Sequence, residues 1–439
     1  MNRRIHISIL LTAAALLLGG CGMRTVDQMY SLPKRSEEYN DLQTAIDGAM
    51  EGLDYCAPLS GENQQTVQMA DLDGDGAEEY LLFAKSSSEK PLQILIFDQT
   101  DGSFYLRETI ESRGSAFELI EYADMDGKLG LEMVVGRQVS DQVLRSLSVY
   151  TFSDGDAEQL MSVGYSKFVT ADLDQNGRTE LMVIDPGEIE TDNAVASLYS
   201  YRDDAMVRST EANLSEPADH IKRIMVSKLQ DGVPAVYVAS SVEESAIITD
   251  VFALKNGKFT NVSFSNESGT SVQTLRNYYI YADDIDDDGI LELPSLITMR
   301  SRDRREAPHY LIRWYAMTID GGEVDKMYTF HNFDGGWYIQ LDGLQASRIM
   351  VTQEGSTYNF FLWNEDFSEC EALMTVFALT GSNRDAEAVE DNRFVLYRAD
   401  GVLYAAKLHG AALSCGMTQE SLLSSFHLIH RDWKTGETE

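Results

Sequence analysis

Acidic side chains recur at alternate positions in a nine-residue segment that begins at Asp71. Its first, third, fifth and ninth residues are Asp71, Asp73, Asp75 and Glu79, and Gly76 stands at the sixth position, where the chain must turn sharply. Alternate residues of such a loop point toward one centre, so these carboxylates converge. Calcium takes about six to eight oxygen ligands, whereas clustered carboxylates without a cation would repel one another. The segment therefore predicts a hard-cation site.

The same spacing returns in two intact copies and in one degraded copy. The intact copies begin at Asp172 and Asp284. The degraded copy begins at Asp124. Its fifth position holds Lys128 instead of an acidic residue, and its sixth position holds Leu129 instead of glycine. An ammonium there would stand where the ion would otherwise lie. The predicted ligands of the intact copies, with the seventh residue contributing its backbone carbonyl, are Asp71, Asp73, Asp75, Ala77 and Glu79; Asp172, Asp174, Asn176, Arg178 and Glu180; and Asp284, Asp286, Asp288, Ile290 and Glu292.

An EF-hand shares part of this spacing, but it requires a bidentate glutamate at the twelfth position and a helix on each side. Here the twelfth residues are Leu82, Val183 and Ser295. Residues 66–70 before the first loop and residues 80–83 after it are rich in strand formers. The sequence therefore predicts a calcium loop between two strands.

The loops recur with a regular period. Their first residues lie 53, 48 and 112 residues apart, and the last interval is long enough for a further unit without the acidic pattern, predicted around residues 229–238. Each unit also carries a short turn between two apolar runs, and such turns are a strong hairpin signal. The turns are Asp101-Gly102, Asp154-Gly155, Asp203-Asp204, Asn256-Gly257 and Asp320-Gly321. Four short strands in each repeat of about 50 residues indicate the blades of a β-propeller.

These D-x-D-x-D-G-x-x-E loops, spread over residues 62–327, resemble those of the FG-GAP or VCBS repeat proteins, whose propeller is that of the integrin alpha-chain head. The resemblance implies one calcium ion in each intact loop, two or three ions in all, between the first and second strands of a blade. It also implies a ligand on the opposite face of the propeller. The resemblance does not imply calcium in the second and fourth units, because their sequences depart from the loop pattern.

The Asp-Gly period ends near residue 327. Six further strands are predicted between residues 337 and 406, and a helix begins at Thr418. Strands followed by a helix favour a mostly β chain with about five four-stranded blades over residues 62–327 and a small α+β domain over residues 328–439. The alternative is that residues 328–439 are two degenerate blades of a single seven-bladed propeller.

Residues 1–21 have the charged front and short apolar run of an export signal. The ending Leu18-Gly19-Gly20-Cys21 resembles the lipobox of bacterial lipoproteins, in which the cysteine is the site of lipid attachment. Residues 22–61 are predicted as a tether and an amphipathic helix capped by Ser36. The protein is therefore expected to be exported and held by its lipid on the extracytoplasmic side of a bacterial membrane.

The formal net charge of -36 argues against nucleic acid or an anionic membrane surface as a partner. Within this acidic chain, Arg300, Arg302, Arg304 and Arg305 form a basic loop that would suit an anionic glycan or protein, or that is simply solvated.

The chain contains no nucleophile elbow, zinc-protease motif, phosphate-binding loop or dinucleotide fingerprint. The sequence therefore predicts a non-catalytic, calcium-binding module for adhesion to a glycan or protein at the cell surface. The alternatives are a calcium-dependent polysaccharide lyase or hydrolase, and an envelope scaffold protein.

Overall fold

The computed structural model describes residues 37–139, 144–152, 156–185, 193–243, 246–278, 280–301, 309–341 and 346–429, and these residues are mostly antiparallel β-structure. They begin with helix α1 (Glu37–Ala49), whose Leu42 and Ile46 are buried at helical spacing, so the predicted amphipathic helix is confirmed. Cys21 and the rest of the lipobox lie outside the described residues. No helix in the described ranges is both long and apolar enough to cross a membrane.

The strands of the described residues form six sheets. Sheet one contains β1 (Asp54–Tyr55), β2 (Val67–Ala70), β3 (Glu79–Lys85), β4 (Leu92–Thr100) and β5 (Ser103–Ser112). Sheet two contains β6 (Ala116–Ala123), β7 (Glu132–Gln138), β8 (Arg145–Thr151) and β9 (Glu158–Gly164). Sheet three contains β10 (Lys167–Ala171), β11 (Glu180–Asp185), β12 (Val195–Arg202) and β13 (Ala205–Asn213). Sheet four contains β14 (Ile221–Lys228), β15 (Pro234–Val242), β16 (Ala246–Lys255) and β17 (Lys258–Asn261).

Sheet five contains β18 (Leu293–Thr298), β19 (Tyr310–Met317), β20 (Glu323–Asn332) and β21 (Trp337–Leu341). Sheet six contains β22 (Ile349–Glu354), β23 (Thr357–Trp363), β24 (Cys370–Thr380), β25 (Phe394–Arg398) and β26 (Val402–Leu408), and β26 lies between β24 and β25. The short helices α2 (Arg384–Glu387), α3 (Gly410–Ser414) and α4 (Gln419–Ser425) follow β24 and β26. The last strand, β27 (Phe426–Leu428), returns to sheet five and pairs with β21.

The hairpin turns arise from residues that tolerate a left-handed backbone. Asp101 and Gly102 have φ of 52° and 82° and join β4 to β5 directly, and Asn256 and Gly257 join β16 to β17 in the same way. Asp203-Asp204 turns between β12 and β13 with both φ values positive. The predicted turn at Asp154-Gly155 lies outside the described residues. The predicted order of short strands and hairpins is confirmed where it is described.

The core is divided into clusters that lie between successive sheets. Phe83 of β3 meets Phe117 of β6 edge to face, with ring centroids 5.2 Å apart, between sheets one and two. On the other face of β3, Leu82 and Ala84 pack against Leu42 of α1. Further clusters join sheets two and three, three and four, four and five, and five and six. The central strands are nearly continuous apolar runs because both of their faces are covered.

The structure corrects the predicted division near residue 327. Strand β20 crosses that position and pairs with β21, so sheet five extends to Leu341. Trp337 of β21 is fully buried in the cluster between sheets five and six. The described residues form six sheets: five precede residue 342 except for the returning strand β27, and the sixth combines five strands with three short helices. The boundary that was predicted after the fifth sheet therefore moves from residue 327 to beyond Leu341. The predicted unit without an acidic loop is sheet four, with its turn at residues 229–233.

Candidate metal centres in the acidic loops

Four acidic loops lie at matching places in sheets one, two, three and five. We name them loop one (residues 71–79), loop two (124–132), loop three (172–180) and loop five (284–292) after their sheets. In every loop, the residue just before it pairs with the ninth residue in antiparallel fashion. These pairs are Ala70 with Glu79, Ala123 with Glu132, Ala171 with Glu180 and Asp283 with Glu292. The same antiparallel pairing therefore closes the base of each loop, through two strands in loops one to three and through an isolated bridge in loop five.

The predicted sharp turn is present at the sixth position of the intact loops. Gly76, Gly177 and Gly289 have φ of 88°, 85° and 82°. Their amides donate to the first aspartate of the loop at 3.1, 3.0 and 2.8 Å, respectively. These bonds fix the first carboxylate against the backbone, so the loop conformation is set by its own hydrogen bonds.

The first, third and ninth side chains converge in all four loops. One oxygen from each lies within 4.8 Å of the others in the sets Asp71, Asp73 and Glu79; Asp124, Asp126 and Glu132; Asp172, Asp174 and Glu180; and Asp284, Asp286 and Glu292. Converging carboxylate oxygens are the ligands that hard divalent cations prefer. These residues can hold a metal ion, and the degraded loop two keeps the same triad.

In loops one and five, the fifth side chain is not among the carboxylates that converge, although the sequence predicted it as a ligand. The amide of the seventh residue donates a hydrogen bond to the side-chain oxygen of the fifth residue in each intact loop. The acceptors are Asp75, Asn176 and Asp288, at 2.7, 2.7 and 2.9 Å. This local hydrogen bond is an Asx turn, which competes with ligation for that oxygen. The predicted carbonyl ligands Ala77, Arg178 and Ile290 are the residues whose amides make these bonds.

In loops one and five, the ninth residue is a buried glutamate with only one hydrogen-bonded oxygen. Glu79 Oε2 accepts from the amide of Leu72 at 2.7 Å, and Glu292 Oε2 accepts from that of Ile285 at 3.1 Å. Glu79 is 1% exposed and Glu292 is 0% exposed, and the Oε1 atom of each is buried with no hydrogen bond. A buried carboxylate oxygen without a hydrogen bond is costly, so a cation held by the triad fits this arrangement.

Burial also shifts the titration of these glutamates. It raises the pKa of Glu79 to about 7 and that of Glu292 to about 8, with the neighbouring aspartates adding to the rise. Burial raises the pKa of Glu132 and Glu180 in the same direction. A divalent cation would oppose these shifts, because it favours the charged carboxylate.

Basic side chains lie against three of the four loops in the described residues. Arg107 Nη1 is 2.7 Å from Asp73 Oδ2 in loop one, and Lys326 Nζ is 2.5 Å from Asp288 Oδ2 in loop five. In loop two, Lys128 Nζ is 3.0 Å from Asp126 Oδ2 and donates to the Tyr201 hydroxyl at 3.0 Å. Sequence reasoning missed Arg107 and Lys326, since both are distant from the loops in the chain.

Successive loops are joined by a repeated hydrogen bond. Leu131, the eighth residue of loop two, donates its amide to the carbonyl of Asp71 at 3.0 Å. Thr179, the eighth residue of loop three, donates in the same way to the carbonyl of Asp124 at 2.7 Å. An ion bound in one loop would therefore stabilise a contact between neighbouring sheets.

The predicted arginine loop is described only in part. Arg300 lies with its guanidinium 4.0 Å from the ring centroid of Phe367, in cation–π contact. Arg302, Arg304 and Arg305 lie outside the described residues, as does the lipid-attachment residue Cys21. The prediction of a docking site at these arginines stays a prediction.

An aromatic cavity of about 140 Å³ lies at the end of sheet five opposite loop five, where β18 ends and β19 begins. Tyr278 stacks on Phe333 and meets Tyr310 edge to face, in both cases at 5.9 Å. His309 and His331 add imidazoles to the lining. Burial lowers the pKa of His331 to about 3, so its ring is neutral. The lining residues are Tyr278, Leu296, His309, Tyr310, Ile312, Phe330, His331 and Phe333.

No protein-family model matches the chain, and no curated protein matches it by sequence. Among solved structures, it is similar to a Bacillus licheniformis rhamnogalacturonan lyase at 12% identity, covering 73% of this chain and 72% of that one, with a TM-score of 0.29. A putative 6-phosphogluconolactonase from Bacteroides uniformis is similar at 13% identity, with coverages of 69% and 82% and a TM-score of 0.27. An exotype rhamnogalacturonan lyase matches at 12% identity, with coverages of 81% and 75% and a TM-score of 0.28. At such scores the likeness bears on neither fold nor activity.

Proposed function

We propose that the six sheets are blades of a calcium-stabilised β-propeller of the FG-GAP type, which binds a glycan outside the cell. The observation that carries the proposal is the repeated loop, in which three carboxylates converge at the same place in successive sheets. In loops one and five the ninth glutamate also has a buried oxygen without a hydrogen bond. Calcium in these loops would hold strands in place and perform no chemistry.

The way in which the sheets pack supports the propeller. Each of the first five sheets shares a hydrophobic cluster with the next, and sheets two, three and four are simple antiparallel meanders. Radial packing of four-stranded sheets protects edges that separate sheets would expose. The carbonyl contacts of Asp71 and Asp124 with the following loops would run along one rim of such a propeller.

The aromatic cavity supports a glycan as the ligand. Its tyrosine rings combine a flat apolar surface with a polar tip, which suits a ring that carries hydroxyl groups. The cavity lies at the end of its sheet that is opposite loop five, where the FG-GAP resemblance places the ligand. The described residues that line it carry aromatic, aliphatic and imidazole side chains.

The proposed location rests on the N-terminal sequence. A lipid on Cys21 would hold the protein on the extracytoplasmic side of a bacterial membrane. Extracellular calcium modules bind the ion at about 10⁻⁴ to 10⁻³ M, so loops of moderate affinity would be occupied there.

The glycan proposal is tested by isothermal titration of the purified protein with maltohexaose, xylohexaose and hexagalacturonate. We expect at least one of them to bind, and the substitution Tyr278→Ala to weaken its binding about tenfold through loss of stacking. Tyr397→Ala is the matched control, because Tyr397 is an exposed tyrosine on β25, in a different sheet from the cavity. Binding of none of the three sugars, or equal losses in both variants, would overturn the proposal.

A further inference from the structure

A β-bulge recurs in the four sheets that carry acidic loops. It lies in the third strand after each loop, where the pairing with the preceding strand skips one residue. The skipped residues are Arg107 in β5, Leu160 in β9, Ser209 in β13 and Lys326 in β20. In sheet four, which lacks the acidic loop, β16 and β17 pair without a bulge. A bulge redirects one side chain, so its recurrence beside each loop suggests a common role.

The bulge residue faces the loop in sheets one and five. Arg107 Nη1 lies 2.7 Å from Asp73 Oδ2 and 4.0 Å from Glu79 Oε1. The same nitrogen lies 3.5 Å from Oδ2 of Asp98 on β4. Lys326 Nζ lies 2.5 Å from Asp288 Oδ2 and 4.0 Å from Asp286 Oδ2. Both basic groups therefore stand within the carboxylate cluster of their loop.

The bulge residue is uncharged in the other two sheets. Ser209 donates its hydroxyl to the carbonyl of Leu198 at 3.0 Å, and Leu160 is buried between sheets two and three. Within the described residues, no ion pair joins a basic side chain to the carboxylates of loop three.

The fifth loop residue and the bulge residue change together. Where the fifth residue is Asp75 or Asp288, the bulge residue is basic, and where it is Asn176, the bulge residue is the neutral Ser209. Counting the first, third, fifth and ninth positions together with the bulge, each intact loop has the same net charge of three negative units. In loop two the ammonium of Lys128 reduces this to two. The charge is equal only at these positions, since Glu78 and Asp287 add a negative charge to loops one and five and Arg178 adds a positive charge to loop three. The covariation of the fifth residue with the bulge residue, rather than the total charge of the loop, indicates compensation.

We infer that the fifth loop residue and the bulge residue are a charge-compensating pair that sets the calcium affinity of each loop. Arg107 and Lys326 are positioning residues in this pair: Arg107 holds the third carboxylate of loop one, Lys326 holds the third and fifth carboxylates of loop five, and each keeps its ion-free loop from repelling itself. The inference rests on the proposed calcium function, and it deepens that function by assigning the residues that tune each site. The buried Oε1 atoms of Glu79 and Glu292 point independently to an ion in these two loops.

The test compares calcium binding to the wild type, Arg107→Ser, Asp75→Asn and the double variant. Arg107→Ser leaves one more uncompensated negative charge, so we expect the affinity of one site to rise about tenfold. Asp75→Asn is expected to lower it, and the double variant should return to the wild-type value because it copies loop three. Lys326→Ser with Asp288→Asn should repeat this pattern in loop five.

Controls separate a charge effect from a loss of packing. Arg107→Lys keeps the charge and should keep the wild-type affinity, and Arg398→Ser removes an ion-paired arginine on β25, in sheet six, which carries no acidic loop. Isothermal titration gives affinity and stoichiometry, and native mass spectrometry counts the ions.

The two proposals fail in different ways. Calcium binding to the wild type with an Arg107→Ser affinity that is unchanged within about twofold, or with a double-variant affinity that does not return to the wild-type value, would overturn the pairing and leave the metal site intact. A wild type that binds no calcium would instead overturn the proposed function, and the pairing that rests on it.

Discussion

At the scale of single residues, the ninth glutamate connects the loop to the core. It accepts a backbone amide through one oxygen and carries its other oxygen in a buried position. The charged carboxylate is therefore destabilised when no cation is bound, and its pKa rises because burial disfavours the charge. This single residue explains why the loops should respond both to pH and to calcium.

We predict that the ion-free protein loses stability as pH rises from about 5 to about 8. Glu292 binds its proton more tightly in the folded chain, with a pKa of about 8 against an ordinary value of 4.5, so the folded form is favoured at low pH. Stability is then lost as the pH rises through the raised pKa. The measurement is the melting temperature in EGTA at several pH values, and saturating calcium should flatten the profile.

Glu292→Gln tests the same residue directly. The neutral amide keeps an oxygen for the Ile285 amide and removes the buried charge. In EGTA at pH 8 it should raise the free energy of unfolding by on the order of a few kcal/mol relative to the wild type, and it should remove one calcium ion. A variant that keeps both the pH slope and the full calcium count would contradict the role assigned to Glu292.

At the scale of elements, the acidic loops are bound to one another as well as to their own strands. Gly74 of loop one approaches loop two so closely that a Cβ there would lie 2.3 Å from Leu129 Cβ. The amide of Leu131 closes the same contact by donating to Asp71. Neighbouring sheets are therefore joined at their loops and at their apolar faces.

Gly74→Ala should therefore destabilise the protein by more than its backbone strain alone. Gly102→Ala is the matched control, because Gly102 has a similar positive φ of 82° but no atom within 4 Å of an added Cβ. We expect the control to cost about 1 kcal/mol and Gly74→Ala about 1 to 3 kcal/mol more, measured by urea unfolding. Equal losses would mean that the contact between the loops adds no stability.

Several elements could be predicted from sequence because their signals are local. The nine-residue loops, the Asp101-Gly102 hairpin and the helix capped by Thr418 each depend on a few adjacent residues, and each is confirmed. The bulge residues Arg107 and Lys326 could not be found in this way, because their role depends on pairing between strands. The division near residue 327 was misplaced because the turn markers stop before sheet five is complete.

At the scale of the whole molecule, the six sheets form one series in which each packs on the next. The chain carries a net charge of -36, and the loops concentrate part of that charge at strand ends. Calcium ions in three loops would neutralise six units of negative charge at the strand ends that carry the loops. Calcium is thus expected to act on the stability of the entire series, and ligand binding on its opposite face would depend on calcium only indirectly.

The most direct test is thermal unfolding of the purified protein in EGTA and across a calcium titration, with bound metal counted on the same sample. We predict three calcium ions per chain, one in each intact loop, and a rise in melting temperature of about 5 to 10 °C at saturation. Magnesium at the same concentration should give a smaller rise, since it demands a tighter octahedral site. A protein that binds no calcium, and whose melting temperature is the same in EGTA and in calcium, would contradict the account.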